Sequence, residues 1–156
     1  MKIRWRMIIA VMAAAALSPW ARAWSMNHAQ ADKPPLIQPA ELAKLLRKKA
    51  KGPKPLVIQV GFRVLYEQAH IPGSQYLGPA SEEAGLNRLR ARVKTLSRKT
   101  PIIIYCGCCP WNHCPNIKPA YAALRAMGFT NVKALWMPRN FGADWVEKGY
   151  PVVRER

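Results

Sequence analysis

The sequence has few cysteines, and none of them lies outside one short stretch. Its four cysteines, Cys106, Cys108, Cys109 and Cys114, fall within nine residues, so a disulfide between any two of them would close only a local loop. The Cys-x-x-Cys-His motif is also lacking, which excludes attachment of a c-type haem. The options that remain for this cluster are a local disulfide, a metal ion and a reactive thiol.

Long hydrophobic runs are lacking after residue 23. A membrane-spanning helix needs about 20 apolar residues, so we expect no stable membrane span in the mature chain. Residues 1–23 combine a basic start, an apolar run over 7–17 and the small-residue site Ala21-Arg22-Ala23. These features predict a bacterial signal peptide cleaved before Trp24, with an uncleaved anchor as the alternative, and hence a periplasmic or secreted protein.

Acidic residues are scarce, because eight of them stand against 25 lysines and arginines. Without the signal the chain keeps 133 residues, enough for one domain, and its 21 basic residues leave a net charge of +13. Such a surface attracts anions. An exported protein seldom meets nucleic acid, so we expect no nucleic-acid partner and favour small anionic sulfur compounds or anionic membrane surfaces.

The remaining chain alternates between strand-like and helix-like segments. Residues 24–35 are polar and end in Pro34-Pro35, which predicts a flexible lead-in before a domain over 36–153. The predicted strands are 56–60, 75–77, 102–105 and 132–135, with 61–80 otherwise irregular. The predicted helices are 39–49, 82–97 with Ser81 as its cap, 117–127 and 142–148. This alternation predicts an α/β fold, with a parallel sheet and helices on both faces.

The cysteine stretch follows the predicted strand 102–105 directly and precedes the helix that we expect Asn116 to cap. A loop between a strand and a helix directs backbone N–H groups and the positive end of the helix dipole at one sulfur. That environment favours a thiolate, so the sequence predicts sulfur chemistry at this loop.

Metal binding is the alternative for the same loop. Cys106, Cys108, Cys109, His113 and Cys114 offer five ligands of the kind that zinc, copper(I) or an iron–sulfur centre accepts. The spacing lacks paired Cys-x-x-Cys knuckles, however, so we rank the metal site below sulfur transfer and expect no cofactor.

Four motifs occur in a recognisable order along the chain. They are Ala69-His70-Ile71-Pro72-Gly73-Ser74, the strand that runs into Cys106, the helix end over 124–129, and Trp145 followed by Gly149-Tyr150-Pro151-Val152. This order resembles the rhodanese-like domain family over about residues 36–153. The resemblance implies a rhodanese-like α/β fold and a structural role for His70 in its turn.

The resemblance also implies what the cysteine loop does. Cys106 would accept sulfane sulfur from thiosulfate or polysulfide as a persulfide, and would pass it to a thiol acceptor or redox partner protein. Gly107, Cys108, Cys109 and Trp111 would form the substrate loop around it. A phosphatase is disfavoured, because such an enzyme needs an arginine six positions after the nucleophile, where this chain has asparagine.

Several roles around the loop stay open at this point. Lys118 holds an anionic donor at the loop mouth in one interpretation and is a solvated surface residue in the favoured one. Cys109 and Cys114 either resolve a persulfide on Cys106 or form a resting disulfide. The alternatives for the whole protein are a non-enzymatic metal-binding or thiol-redox module and a catalytically silent scaffold.

The chain departs from the family pattern at three places. Gln59-Val60-Gly61 stands where Asp-x-Arg is frequent, and Met137-Pro138-Arg139-Asn140 replaces a Gly-Gly pair. The active-site loop is longer than usual and carries the additional cysteines. The pocket is therefore remodelled, and the resemblance does not identify the substrate.

Overall fold

A five-stranded parallel sheet forms the centre of the computed structural model, which describes residues 33–47 and 54–155. The predicted signal and most of the predicted lead-in lie outside the described residues. The strands are β1 (Leu36–Ile37), β2 (Leu56–Gln59), β3 (Gln75–Tyr76), β4 (Ile102–Tyr105) and β5 (Val132–Leu135), in the order β1-β5-β4-β2-β3. All four strand pairs are parallel, which confirms the predicted fold class.

Helices cover both faces of this sheet, as the sequence predicts. They are α1 (Pro39–Arg47), α2 (Arg63–Gln68), α3 (Glu83–Val93) and α4 (Ile117–Ala126), with a 3₁₀ turn at Trp111–His113 and a π-helical turn at Gly142–Val146. In the part of the chain that the structure describes, none of the helices has both the length and the apolar character that a membrane crossing requires.

Side chains of β4 alternate between two hydrophobic cores. Ile102 and Ile104 pack in the core beneath α3 and α4, whereas Ile103 and Tyr105 pack in the core beneath α1 and the C-terminal segment. Every residue of β4 is buried because both faces of the sheet are covered. Cys106 continues the alternation and joins the core beneath α3 and α4, so the strand fixes the direction of its side chain.

The sequence missed two elements. The stretch 61–80, predicted to be irregular, contains α2, and none of the residues of α2 is buried. The strand β1, which has only two residues, was not predicted either.

The two ends of α4 are well defined. Gly128 has a φ of +86° and closes the helix, with its N–H donating to Arg125 O and the Phe129 N–H donating to Leu124 O. These two bonds form a Schellman motif, as expected for glycine at this position. At the start, Asn116 occupies the cap position, but its side chain makes no capping hydrogen bond.

His70 has the structural role that the family resemblance implies. It is buried, its ring stacks on Tyr66 with 3.9 Å between centroids, and Nδ1 lies 2.8 Å from Tyr66 O. Its backbone N–H and C=O both pair with Val153. These contacts fasten the C-terminal segment to the turn that precedes β3.

Candidate active site

Cys106 directly follows β4 and is held by polar groups from the neighbouring strand. The Gln59 side chain donates from Nε2 to Cys106 O (3.0 Å) and accepts from the Gly61 N–H at Oε1 (3.1 Å). Gly61 itself lies against the cysteine, because a Cβ atom there would be 2.8 Å from Cys106 O and 2.9 Å from Cys106 Sγ. The backbone at the cysteine is thus fixed from one side.

Asn116 fixes the Cys106 sulfur from the other side. Its buried side chain donates from Nδ2 to Cys106 Sγ (3.3 Å) and accepts from the Ser81 N–H at Oδ1 (2.9 Å). Neither helix start has a side-chain capping bond, so the prediction that Asn116 and Ser81 cap helices with their side chains is wrong. The Asn116 side chain and the Ser81 backbone N–H instead connect the start of α4, the segment before α3 and the reactive loop.

Three sulfur atoms of the loop form a compact group. The Sγ atoms of Cys106, Cys108 and Cys114 all lie within 4.8 Å of one another, and the first two are 3.1 Å apart. Cys109 Sγ is 2.8 Å from Cys108 Sγ but lies outside this group, as does His113. All four cysteines are among the described residues and are thiols, since a disulfide bond would require about 2.05 Å.

The electrostatics of this group differ from the sequence prediction. Hydrogen bonding with the Cys114 sulfur, and then burial, raises the pKa of Cys106 well above its ordinary value. Its partner shows the opposite effect, because the Cys106 thiol and the backbone N–H groups of Asn116 and Ile117 lower the pKa of Cys114 to about 6. The predicted low-pKa thiolate at Cys106 is therefore wrong. The start of α4 stabilises the sulfur of Cys114.

One cavity opens beside Cys106. Its volume is about 320 Å³, and its lining includes Gln59, Cys106, Cys108, Asn140 and Phe141. Gly107, also in the wall, has a φ of +85° that turns the chain away from β4, and its carbonyl accepts from the Phe141 N–H (3.2 Å). Cys106 is only 3% exposed, so a donor must enter this cavity to reach the sulfur.

A second cavity opens beside Cys114. It has a volume of about 290 Å³ and is lined by Lys33, Pro34, Leu36, Trp111, Asn112, Cys114, Ile117 and Lys118. The exposed Lys118 thus lies at the Cys114 cavity and does not line the Cys106 cavity. Trp111 is half-buried, packs against Trp136 with 5.8 Å between ring centroids, and forms part of the wall.

These features define a class of protein: an α/β domain whose parallel sheet presents a cluster of thiols at the carboxyl end of a central strand. Residues 39–136 match the family model of the rhodanese-like domain, and the chain belongs to this family. No curated protein sequence is significantly similar to the chain.

Solved structures of other proteins share the fold. The rhodanese-like domain of the Alr3790 protein from Anabaena has a TM-score of 0.56 and 21% identity, over 78% of this chain and 80% of that one. The polysulfide-sulfur transferase homodimer from Wolinella succinogenes has a TM-score of 0.56 and 16% identity, over 88% and 91%. Thiosulfate sulfurtransferase from Pseudomonas aeruginosa has a TM-score of 0.57 and 21% identity, over 85% of this chain and 21% of that longer one.

Sequence reasoning missed three residues that shape the site. Gln59 and Gly61 appeared only as departures from a family motif, and Asn116 was assigned to a helix cap. Gln59 reaches the loop because it pairs with Tyr105 across β2 and β4, a register that no local pattern reveals. A polar residue at the end of an apolar strand, opposite a cysteine on the next strand, is the signal that could have identified it.

Proposed function

We propose that the protein is a sulfurtransferase in which Cys106 carries sulfane sulfur as a persulfide. The main support is the position of the sulfur, at the end of β4, with an amide donor 3.3 Å away and a cavity beside it. The Asn116 N–H and the backbone N–H of Cys108 both favour negative charge on this sulfur. The same donors would stabilise the persulfide anion that follows.

The loading step balances with thiosulfate as the donor. The Cys106 thiolate attacks the outer sulfur of thiosulfate, a new S–S bond forms, and sulfite leaves with the electron pair of the old bond. With a polysulfide the same attack releases a polysulfide one sulfur shorter. The Cys106 proton leaves to solvent through the cavity beside it before the attack.

The cavity beside Cys106 can bind a small anion through uncharged hydrogen-bond donors. Its described lining includes the amide side chains of Gln59, Gln68 and Asn140, and it contains no lysine or arginine. Amide groups therefore face the donor, and the net charge of the protein supplies only the long-range attraction. This composition favours a compact donor such as thiosulfate or a short polysulfide.

The test is an intact mass after incubation with thiosulfate or polysulfide. We expect an adduct of about 32 Da, one sulfur atom, that dithiothreitol removes and that Cys106→Ser abolishes. The melting temperature of Cys106→Ser serves as the folding control. An adduct of equal yield in a folded Cys106→Ser protein would refute the assignment of Cys106.

A soft metal ion is the second candidate for the same sulfur group. Three thiol sulfurs within 4.8 Å of one another match the arrangement that copper(I) or zinc requires. In that case the protein would bind about one metal ion per chain, and Cys114→Ser would lose it. Stoichiometric metal without any adduct of about 32 Da would favour this function over sulfur transfer.

A further inference from the structure

We propose that Cys114 is a second sulfur carrier, which receives sulfane sulfur from Cys106 and delivers it to a small anionic thiol in the cavity between Lys33 and Lys118. The inference rests on the proposed function of Cys106. It extends that function by assigning a separate exit to the sulfur and a chemical class to the acceptor.

Each of the two cavities is lined by a different cysteine. The cavity of about 320 Å³ is lined by Cys106, the cavity of about 290 Å³ is lined by Cys114, and none of the described residues lines both. A small void of about 10 Å³ has Cys106, Cys109, Trp111 and Cys114 in its wall, and the Sγ atoms of Cys106 and Cys114 lie within 4.8 Å of each other. Its size is close to that of one solvent-sized sphere, so it can hold a single atom beside the two carriers.

The walls of the second cavity indicate the acceptor. Lys33 and Lys118 contribute positive charge, and Trp111, Leu36 and Pro34 contribute apolar surface. The Cys106 cavity shows the contrasting composition, with amides in place of lysines. Lysine side chains bind carboxylate or sulfonate groups, while the apolar wall covers a short hydrocarbon chain. The acceptor is thus an organic thiol that bears an anionic group.

The transfer between the cysteines balances without an added reductant. The Cys114 thiolate attacks the outer sulfur of the Cys106 persulfide, a new S–S bond forms, and the old bond returns its electron pair to Cys106 as a thiolate. For this step the outer sulfur of the Cys106 persulfide takes a proton from solvent, and that proton stays on the transferred sulfur. The acceptor thiolate then attacks this outer sulfur on Cys114, takes it as an organic persulfide and restores the Cys114 thiolate.

The experiment separates loading from unloading. The protein is loaded with thiosulfate, freed of donor, and mixed with 2-mercaptoethanesulfonate or with neutral 2-mercaptoethanol, and the loss of the adduct is followed by intact mass. In the wild type we expect the anionic thiol to unload the protein about two- to fivefold faster, the range of a partly exposed ion pair. Peptide mapping of alkylated, loaded protein should find the extra sulfur on both Cys106 and Cys114.

Three variants make the result specific. Cys114→Ser should still load on Cys106 but unload about tenfold more slowly or worse, because the second carrier is missing. Lys118→Gln should remove most of the preference for the anionic thiol. Lys99→Gln, which removes the same charge from an exposed position before β4, should keep that preference.

The outcomes distinguish this inference from the function on which it rests. Unloading of Cys114→Ser at the wild-type rate would overturn the relay and leave loading on Cys106 intact. Loading of Cys106→Ser would overturn the proposed function itself. Release of hydrosulfide with a Cys106–Cys114 disulfide would show that Cys114 attacks the inner sulfur, which also refutes the relay. Cys114→Ala, with its melting temperature, guards against a folding artefact of the serine variant.

Discussion

The two ends of the cysteine loop differ in how they treat their sulfur atoms. Cys106, at the end of β4, is 3% exposed, and side chains from distant parts of the chain hold its backbone and its sulfur. Cys114, just before α4, is half-buried, and the Cys106 thiol together with backbone N–H groups of the helix start stabilises its negative charge. The fold therefore fixes the position of the Cys106 sulfur, whereas at Cys114 it stabilises the negative charge of the sulfur.

The sequence gives two reasons to expect a reactive thiol in this loop, and in the structure each reason applies to a different sulfur. The position of the family cysteine points to Cys106, whereas the helix start acts on Cys114. In a short loop one sulfur can satisfy both conditions. Here Cys106 and Cys114 lie eight positions apart, so the two conditions fall on different sulfurs, and the extra cysteines that lengthen the loop supply the second sulfur.

Gly61→Ala should have the largest effect, because it disturbs the position of Cys106. The new Cβ would lie 2.8 Å from Cys106 O and 2.9 Å from Cys106 Sγ, and the backbone atom cannot move without breaking its bond from Gln59. We expect a loss of about 1–3 kcal/mol in the free energy of unfolding and no detectable sulfur loading. Urea unfolding and intact mass measure the two effects. Normal loading would show that Cys106 is less constrained than these distances indicate.

Asn116→Asp should affect charge at Cys106 while preserving shape. The aspartate keeps an oxygen for the Ser81 N–H, but it replaces the donor to Cys106 Sγ with a negative group. A thiolate or persulfide anion is then disfavoured, so we expect loading to slow about 10- to 100-fold. The rate of adduct formation measures this effect.

The matched control for that variant is Asn131→Asp. Asn131 is exposed and precedes β5, at the end of the sheet away from the cysteines, so the same change in charge should leave the loading rate unaltered. If both variants slow loading equally, net charge is responsible and the contact between Asn116 and the sulfur is not.

The lowered pKa of Cys114 predicts that the reactivity of this thiol depends on pH. Because the pKa of Cys114 is lowered to about 6, its thiolate fraction should rise between pH 5 and 7, and so should its rate of alkylation by iodoacetamide. The Cys106 thiol is the largest cause of the lowering, so Cys106→Ala should move the midpoint to higher pH. Alkylation mapped by peptide mass at each pH measures this shift. An unchanged midpoint would mean that the amides of α4 act alone.

Much of the sheet could be predicted from the sequence. Residues 102–105 and 132–135 form strands over the predicted bounds, because apolar residues buried on both sides leave a local signal. The helix α2 could not be predicted in the same way, since none of its residues is buried. The part of the fold that carries a hydrophobic pattern was therefore accessible, and the part without one was not.

The candidate site could likewise be predicted only in part. The cysteines were visible as candidates because their spacing is local, but the choice between them depends on contacts that the fold creates. Gln59 meets Cys106 through the register of β2 and β4, and Asn116 meets both Ser81 and Cys106 across gaps of 35 and 10 residues. Such contacts follow from the packing of three elements, and no single segment encodes them.

Cys109→Ser should have the smallest effect. Its sulfur contacts Cys108 Sγ at 2.8 Å and His113 O at 3.7 Å, outside the group of three sulfurs, and burial raises its pKa to about 12. A thiol that stays protonated at neutral pH is a poor nucleophile, so we expect loading and unloading to change by less than about threefold. The sequence grouped Cys109 with Cys114 as a resolving cysteine, and this variant separates the two. If unloading slows as far as in Cys114→Ser, then Cys109 also lies on the path of the sulfur, and the void whose wall it shares is a passage between three carriers.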